Sequence, residues 1–87
     1  MIVNNFTNYL YAVAEKFCVD EKVDFYLLKP LIKETAERIQ NHSPLTIQTG
    51  PATRGDIITI DKHLKLLTKY PKLKTLYTRL TDGIMNG

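Results

Sequence analysis

The sequence predicts an all-α fold of four or five helices, and three observations carry that prediction. Apolar residues recur at offsets of three and four along most of the 87 residues. Prolines, glycines and aspartates fall at the edges of these periodic stretches, where helices start and stop. No segment makes a convincing strand, because the one candidate, "IITI" at 57–60, runs into "DKHLKLL" with its helical phase intact.

The first periodic segment covers residues 2–17, "IVNNFTNYLYAVAEKF", with Phe6, Leu10, Val13 and Phe17 on one face. It has no clear N-cap. Met1-Ile2-Val3 is apolar from the start, as in a chain that begins inside a longer helix. "CVDEKVD" interrupts the pattern. Asp24 then offers a carboxylate to the free amides of a second helix. Leu28, Ile32, Thr35 and Ile39 line that helix, with Leu27 and Leu31 beside them. Pro30 lies inside this pattern and removes one backbone donor, so it predicts either a kink or a new helix starting there. Pro44 biases Ser43 away from helical geometry and closes the segment.

Residues 45–55 show no sustained period. Helix resumes at Asp56 or just after it, with Ile57, Ile60, Leu64 and Leu67 as its inner stripe. Pro71 suits the first turn of the last helix. Leu73, Leu76, Tyr77, Leu80 and Ile84 line that helix, and Gly83 and Gly87 weaken its end.

A chain of this length makes one domain and buries roughly 60–65% of its unfolded surface. Apolar residues form 44% of it and charged residues 24%, ordinary values for a globular chain. Its apolar runs are too short to span a membrane. The polar "VNNFTNY" after Met1 and Ile2 is no secretory signal. The single cysteine, Cys18, rules out an internal disulfide and reads as a partly buried core thiol. Together these features predict a cytoplasmic protein. The net charge of +3 divides into −1 over residues 1–43 and +4 over residues 44–87. Lys62, Lys65 and Lys69 contribute to that excess, but their spacing opposite Ile60, Leu64 and Leu67 is that of a solvated helix back.

The stretch "TGPATRGDIITIDKHLKLL", residues 49–67, concentrates the chemistry. A phosphate loop needs several glycines and bare amides at a helix N-terminus. Only Gly50 and Gly55 are present, Pro51 lacks an amide, and Asp56 puts a negative charge where the anion would sit. Arg54-Gly55-Asp56 is an adhesion triplet only on a secreted chain, and it is too short to be specific. The structural reading is stronger. Gly50-Pro51 turns the chain sharply, Gly55 permits a left-handed residue, and Asp56 caps the next helix. Arg54 is placed to pair with Asp56 or to point into a cleft. Asp56, Thr59 and His63 share one helix edge, at offsets of three and four. His63 borders the apolar stripe, where packing against the core and facing a cleft or interface are both open to it.

These motifs, in this order, resemble a known family. Leu28, Pro30 and Leu31, then Thr49-Gly50-Pro51, Arg54-Gly55-Asp56, Thr59 and His63-Leu64 match a pattern that covers nearly the whole chain. The pattern is that of a helical C-terminal domain of unknown function, which follows a Rossmann-like domain in NADP-dependent oxidoreductases. That architecture is similar to pyrroline-5-carboxylate reductase and ketopantoate reductase. The resemblance implies a 6-phosphogluconate dehydrogenase C-terminal-domain-like helical bundle. It also implies a homodimer in which two such domains embrace, and an NADP-binding domain absent from this chain, which itself holds no cofactor. Thr7-Asn8 matches the pair on the family's interdomain helix. Asn5, Thr7 and Asn8 are thereby implied to face the nicotinamide end in the intact protein. Thr49, Gly50, Pro51, Arg54, Gly55, Asp56 and Thr59 are implied to line the substrate side or the dimer seam. His63 is the candidate proton donor, and no metal is implied.

The chain is therefore expected to be a domain of a longer protein and inactive alone. The alternative is a stand-alone basic helical module for nucleic acid or a protein partner. That alternative rests on the +4 half, but its lysines lack an arginine cluster and interleaved aromatics.

Overall fold

Five α-helices joined by single-turn segments account for the regular structure, and there is no strand. The computed structural model describes every residue from Met1 to Gly87. The helices are α1 (Thr7–Asp20), α2 (Lys29–Arg38), α3 (Pro51–Arg54), α4 (Ile57–Leu66) and α5 (Pro71–Asn86). The all-α expectation holds. The chain divides into two compact units, Met1–His42 and Ser43–Gly87.

In the first unit a wide π-helical turn, Ile2–Phe6, leads into α1. No side chain caps that turn in the usual way. Asn5 donates its amide to the Met1 carbonyl at 2.8 Å and to Asn4 Oδ1 at 3.0 Å. The apolar start is exposed, with Phe6 retaining 65% of its accessible surface. Farther along α1, Val13 and Phe17 are half-buried, and Cys18 is withdrawn to 5%.

The C-terminus of α1 is closed by two reversed hydrogen bonds. Val23 donates to the Cys18 carbonyl at 2.8 Å and Lys22 donates to the Val19 carbonyl at 3.2 Å. This is the Schellman arrangement, which requires a left-handed residue just past the helix. Lys22 fills that position with φ at +58°, where glycine is the usual choice.

Asp24 is a cap, as its sequence position predicts. Its Oδ1 accepts the Tyr26 amide at 2.9 Å. It opens a 3-10 turn, Phe25–Leu28, rather than an α-helix, and α2 begins only at Lys29. Pro30 thus falls in the first turn of α2, where its missing amide costs nothing. Of the two outcomes that Pro30 leaves open, the helix start is the one realised. The Lys29 ammonium lies 3.8 Å from the Tyr26 ring centroid. No residue of α2 is fully buried, and Leu27 and Leu31 stand exposed.

In the second unit a 3-10 turn, Pro44–Ile47, precedes the one-turn helix α3, which the aperiodic sequence of residues 45–55 does not announce. Helix α3 packs against α4 and α5, and α4 against α5. Ala52, Ile60 and Leu67 form the buried centre. The expected stripe on α4 is correct at Ile60, while Leu64 is half-buried and Ile57 is exposed. Pro71 starts α5 as predicted. No helix is long and apolar enough to cross a membrane.

Candidate functional site

The polar residues of the second unit are arranged by the corner between α3 and α4. Gly50 precedes α3 with φ +103° and ψ 174°, a region essentially restricted to glycine. Pro51 then supplies a preset helical φ at the first position of α3. At the other end Gly55 is left-handed, with φ +65°. It donates its amide to Ala52, and the Asp56 amide reaches the Pro51 carbonyl at 2.9 Å. This repeats the closure seen after α1, here with the glycine the geometry favours.

Asp56 therefore belongs to two helices. Its backbone closes α3, and its side chain caps α4. Oδ1 accepts the Thr59 amide at 3.1 Å, and Oδ2 accepts the Thr59 hydroxyl at 2.7 Å. Arg54 Nη2 stands 3.5 Å from the same Oδ2. These partners lower the pKa of Asp56 below the ordinary carboxylate value. The Thr59 hydroxyl bond is the main cause and the Thr59 amide bond the second; lost hydration opposes them, and Arg54 adds to the lowering. The Asp56 side chain is 33% exposed and that of Arg54 is more so, leaving the guanidinium accessible beyond the pair. The predicted corner, the cap and the Arg54–Asp56 pair are all present.

His63 departs from the predicted line of Asp56, Thr59 and His63. Asp56 and Thr59 bond each other, whereas His63 Nδ1 lies 2.8 Å from the Tyr77 hydroxyl on α5. The two rings meet edge to face, with centroids 5.7 Å apart and planes at 82°. Both residues are half-buried. Sequence reasoning missed Tyr77 as a polar partner because it falls within the apolar stripe of α5. The available signal was its hydroxyl, which demands a partner when the ring is withdrawn from water.

Thr49 is exposed, and its carbonyl accepts from the Thr53 hydroxyl and from Gln48 Nε2, both at 3.3 Å. Asn5, Thr7 and Asn8 lie in the first unit, at the junction of the π-turn with α1. Asn5 and Asn8 are exposed there and Thr7 is half-buried.

The helix starts bear on whether this chain holds nucleotide phosphates. Helices α2, α3 and α5 carry proline within their first two positions. Asp24 and Asp56 occupy the other capped starts with carboxylates. Converging bare amides, the basis of a phosphate cradle, are not offered at these termini. These helix starts do not fit a pyrophosphate. No three His, Cys, Asp or Glu side chains gather as a metal site requires.

Comparison with known proteins places the chain in a family. Residues 1–84 match the family described as a domain of unknown function, DUF2520. The fold is that of part of a crystal structure from Bacteroides fragilis, described as a "putative NADP oxidoreductase". The TM-score is 0.93 at 37% sequence identity. The match covers 99% of this chain but 33% of that one, so the chain spans about a third of the length of the protein it resembles. No curated protein matches.

Proposed function

This chain belongs to the DUF2520 family, and we propose that it is the dimerisation and substrate-side domain of an NADP-dependent oxidoreductase, inactive alone. In this reading a Rossmann-like domain precedes it and holds the nucleotide. The observation that carries the proposal is the surface. Twenty large apolar residues are exposed, whereas Ile60 and Leu67 are the large apolar residues that are buried, and no side chain is fully withdrawn from water. Leu27 and Ile58 retain 73% and 71% of their surface.

The accessible area is 7309 Å² for a mass of 10.0 kDa. Two separate globules of half that mass would expose only about 6,300 Å². A surplus of about 1,000 Å² is left, comparable to one partner's share of a specific interface. Exposed apolar side chains in such numbers are built to be covered. A second copy of the chain and the preceding domain are the two covers.

The nicotinamide supplies a hydride when the intact protein is loaded. Asn5, Thr7 and Asn8 are the residues of this reading that serve the nicotinamide end. Arg54 is the holder of an anionic substrate group, and His63 is the donor that polarises the substrate's carbonyl or imine and protonates its oxygen or nitrogen as the carbon takes the hydride. Thr49, Gly50, Pro51, Gly55, Asp56 and Thr59 shape and anchor that border. The proposal is tested by a crystal structure of the full-length protein with NADP bound. Asn8 beside the nicotinamide and His63 on the substrate side support it; a nicotinamide remote from both overturns it.

A further inference from the structure

We infer that Tyr77 is the positioning residue of His63, fixing the imidazole tautomer so that Nε2–H is the group presented to a substrate carbonyl or imine. The inference rests on the reading of His63 as the substrate-side donor and adds the residue that orients it.

The geometry is specific. The Tyr77 hydroxyl and His63 Nδ1 are 2.8 Å apart, and the two rings meet edge to face beside that bond. A phenol is both donor and acceptor, whereas a neutral imidazole has one nitrogen of each kind. The phenolic lone pairs are partly drawn into the ring, so the hydroxyl donates better than it accepts. The favoured pairing is therefore Tyr77 Oη–H donating to an unprotonated Nδ1. The imidazole proton then resides on Nε2, because the bond made by one nitrogen decides the state of the other. Helices α4 and α5 hold the two residues fourteen positions apart in sequence, on neighbouring elements of one unit. Asp56 and Thr59 already satisfy each other, so Tyr77 rather than the carboxylate sets the histidine.

The experiment is nitrogen NMR of full-length protein labelled at histidine, with the His63 signal assigned by its loss in His63→Gln. The wild type is expected to show mainly the Nε2–H tautomer. Tyr77→Phe keeps the ring and deletes the hydroxyl, and it should change the tautomer ratio by about fivefold, the scale of one hydrogen bond. An unchanged ratio, or a wild type that is mainly Nδ1–H, overturns the inference. Should Tyr77→Phe fail to fold, the wild-type spectrum decides: a Tyr77 hydroxyl proton correlated with Nδ1 supports the pairing, and its absence overturns it. Adding NADP separates the two claims. An Nε2 signal that moves supports the substrate-side reading. An unmoved Nε2 beside an intact tautomer effect overturns that reading while the Tyr77–His63 pairing stands.

Discussion

Asp56 and Thr59 are joined twice, amide to Oδ1 at 3.1 Å and hydroxyl to Oδ2 at 2.7 Å, so one carboxylate is held by two bonds from a single residue. Both bonds favour the ionised form and lower the Asp56 pKa. The sign of the pH effect follows. A lowered folded value means that the contribution to stability is complete above the unfolded carboxylate value, about 3.9, and is lost as pH falls through the folded one. Asp56→Asn keeps a competent cap while removing the charge. The stability gap between wild type and Asp56→Asn, measured by denaturant titration, should be constant near neutrality and close in acid. Thr59→Val should move the closing point to higher pH.

The two glycines of the corner are predicted to differ. An added Cβ meets no atom within 4 Å at either position, so any cost is conformational. Gly55 is left-handed, a region that asparagine tolerates, whereas the backbone of Gly50 is in a glycine-only region. Gly55→Ala should cost about 1–2 kcal/mol, with Gly55→Asn recovering much of it. Gly50→Ala should cost about 1–3 kcal/mol, and Gly50→Asn should recover nothing. Thermal melts of the four variants check the ranking.

Lys22 offers the converse. It occupies the left-handed position that ends α1, at φ +58°. Lys22→Gly removes the penalty of a Cβ there and should stabilise the protein by about 1 kcal/mol, read from the same melts.

The comparison of these two helix ends explains how much of the fold the sequence discloses. The closure at Gly55 was legible because glycine marks it. The same closure at Lys22 was not, because its residue carries no such mark. Asp24, Asp56 and Pro71 act locally, through caps and a fixed φ, and their positions were readable for that reason. The 3-10 character of Phe25–Leu28 and the single turn of α3 depend on packing rather than periodicity, so no repeat announces them. In the candidate site the Arg54–Asp56–Thr59 group lies within six residues and could be read. The His63–Tyr77 pair requires knowing which side chains of α4 and α5 face each other, and that is a tertiary fact.

The basic half of the chain yields a further prediction. Lys62, Lys65 and Lys69 are exposed, as expected of a solvated helix back. Without arginine forks or aromatic platforms among them, binding to duplex or single-stranded nucleic acid should be flat in gel shifts at low salt. A retained complex that weakens steeply with added salt would favour the stand-alone basic module.

Sedimentation velocity of the 87-residue chain over a range of concentrations tests the partner-dependent surface most directly. Twenty exposed apolar side chains predict self-association, with the average mass rising to at least twice 10.0 kDa as concentration increases. A single sharp species of monomer mass at every concentration would contradict the account.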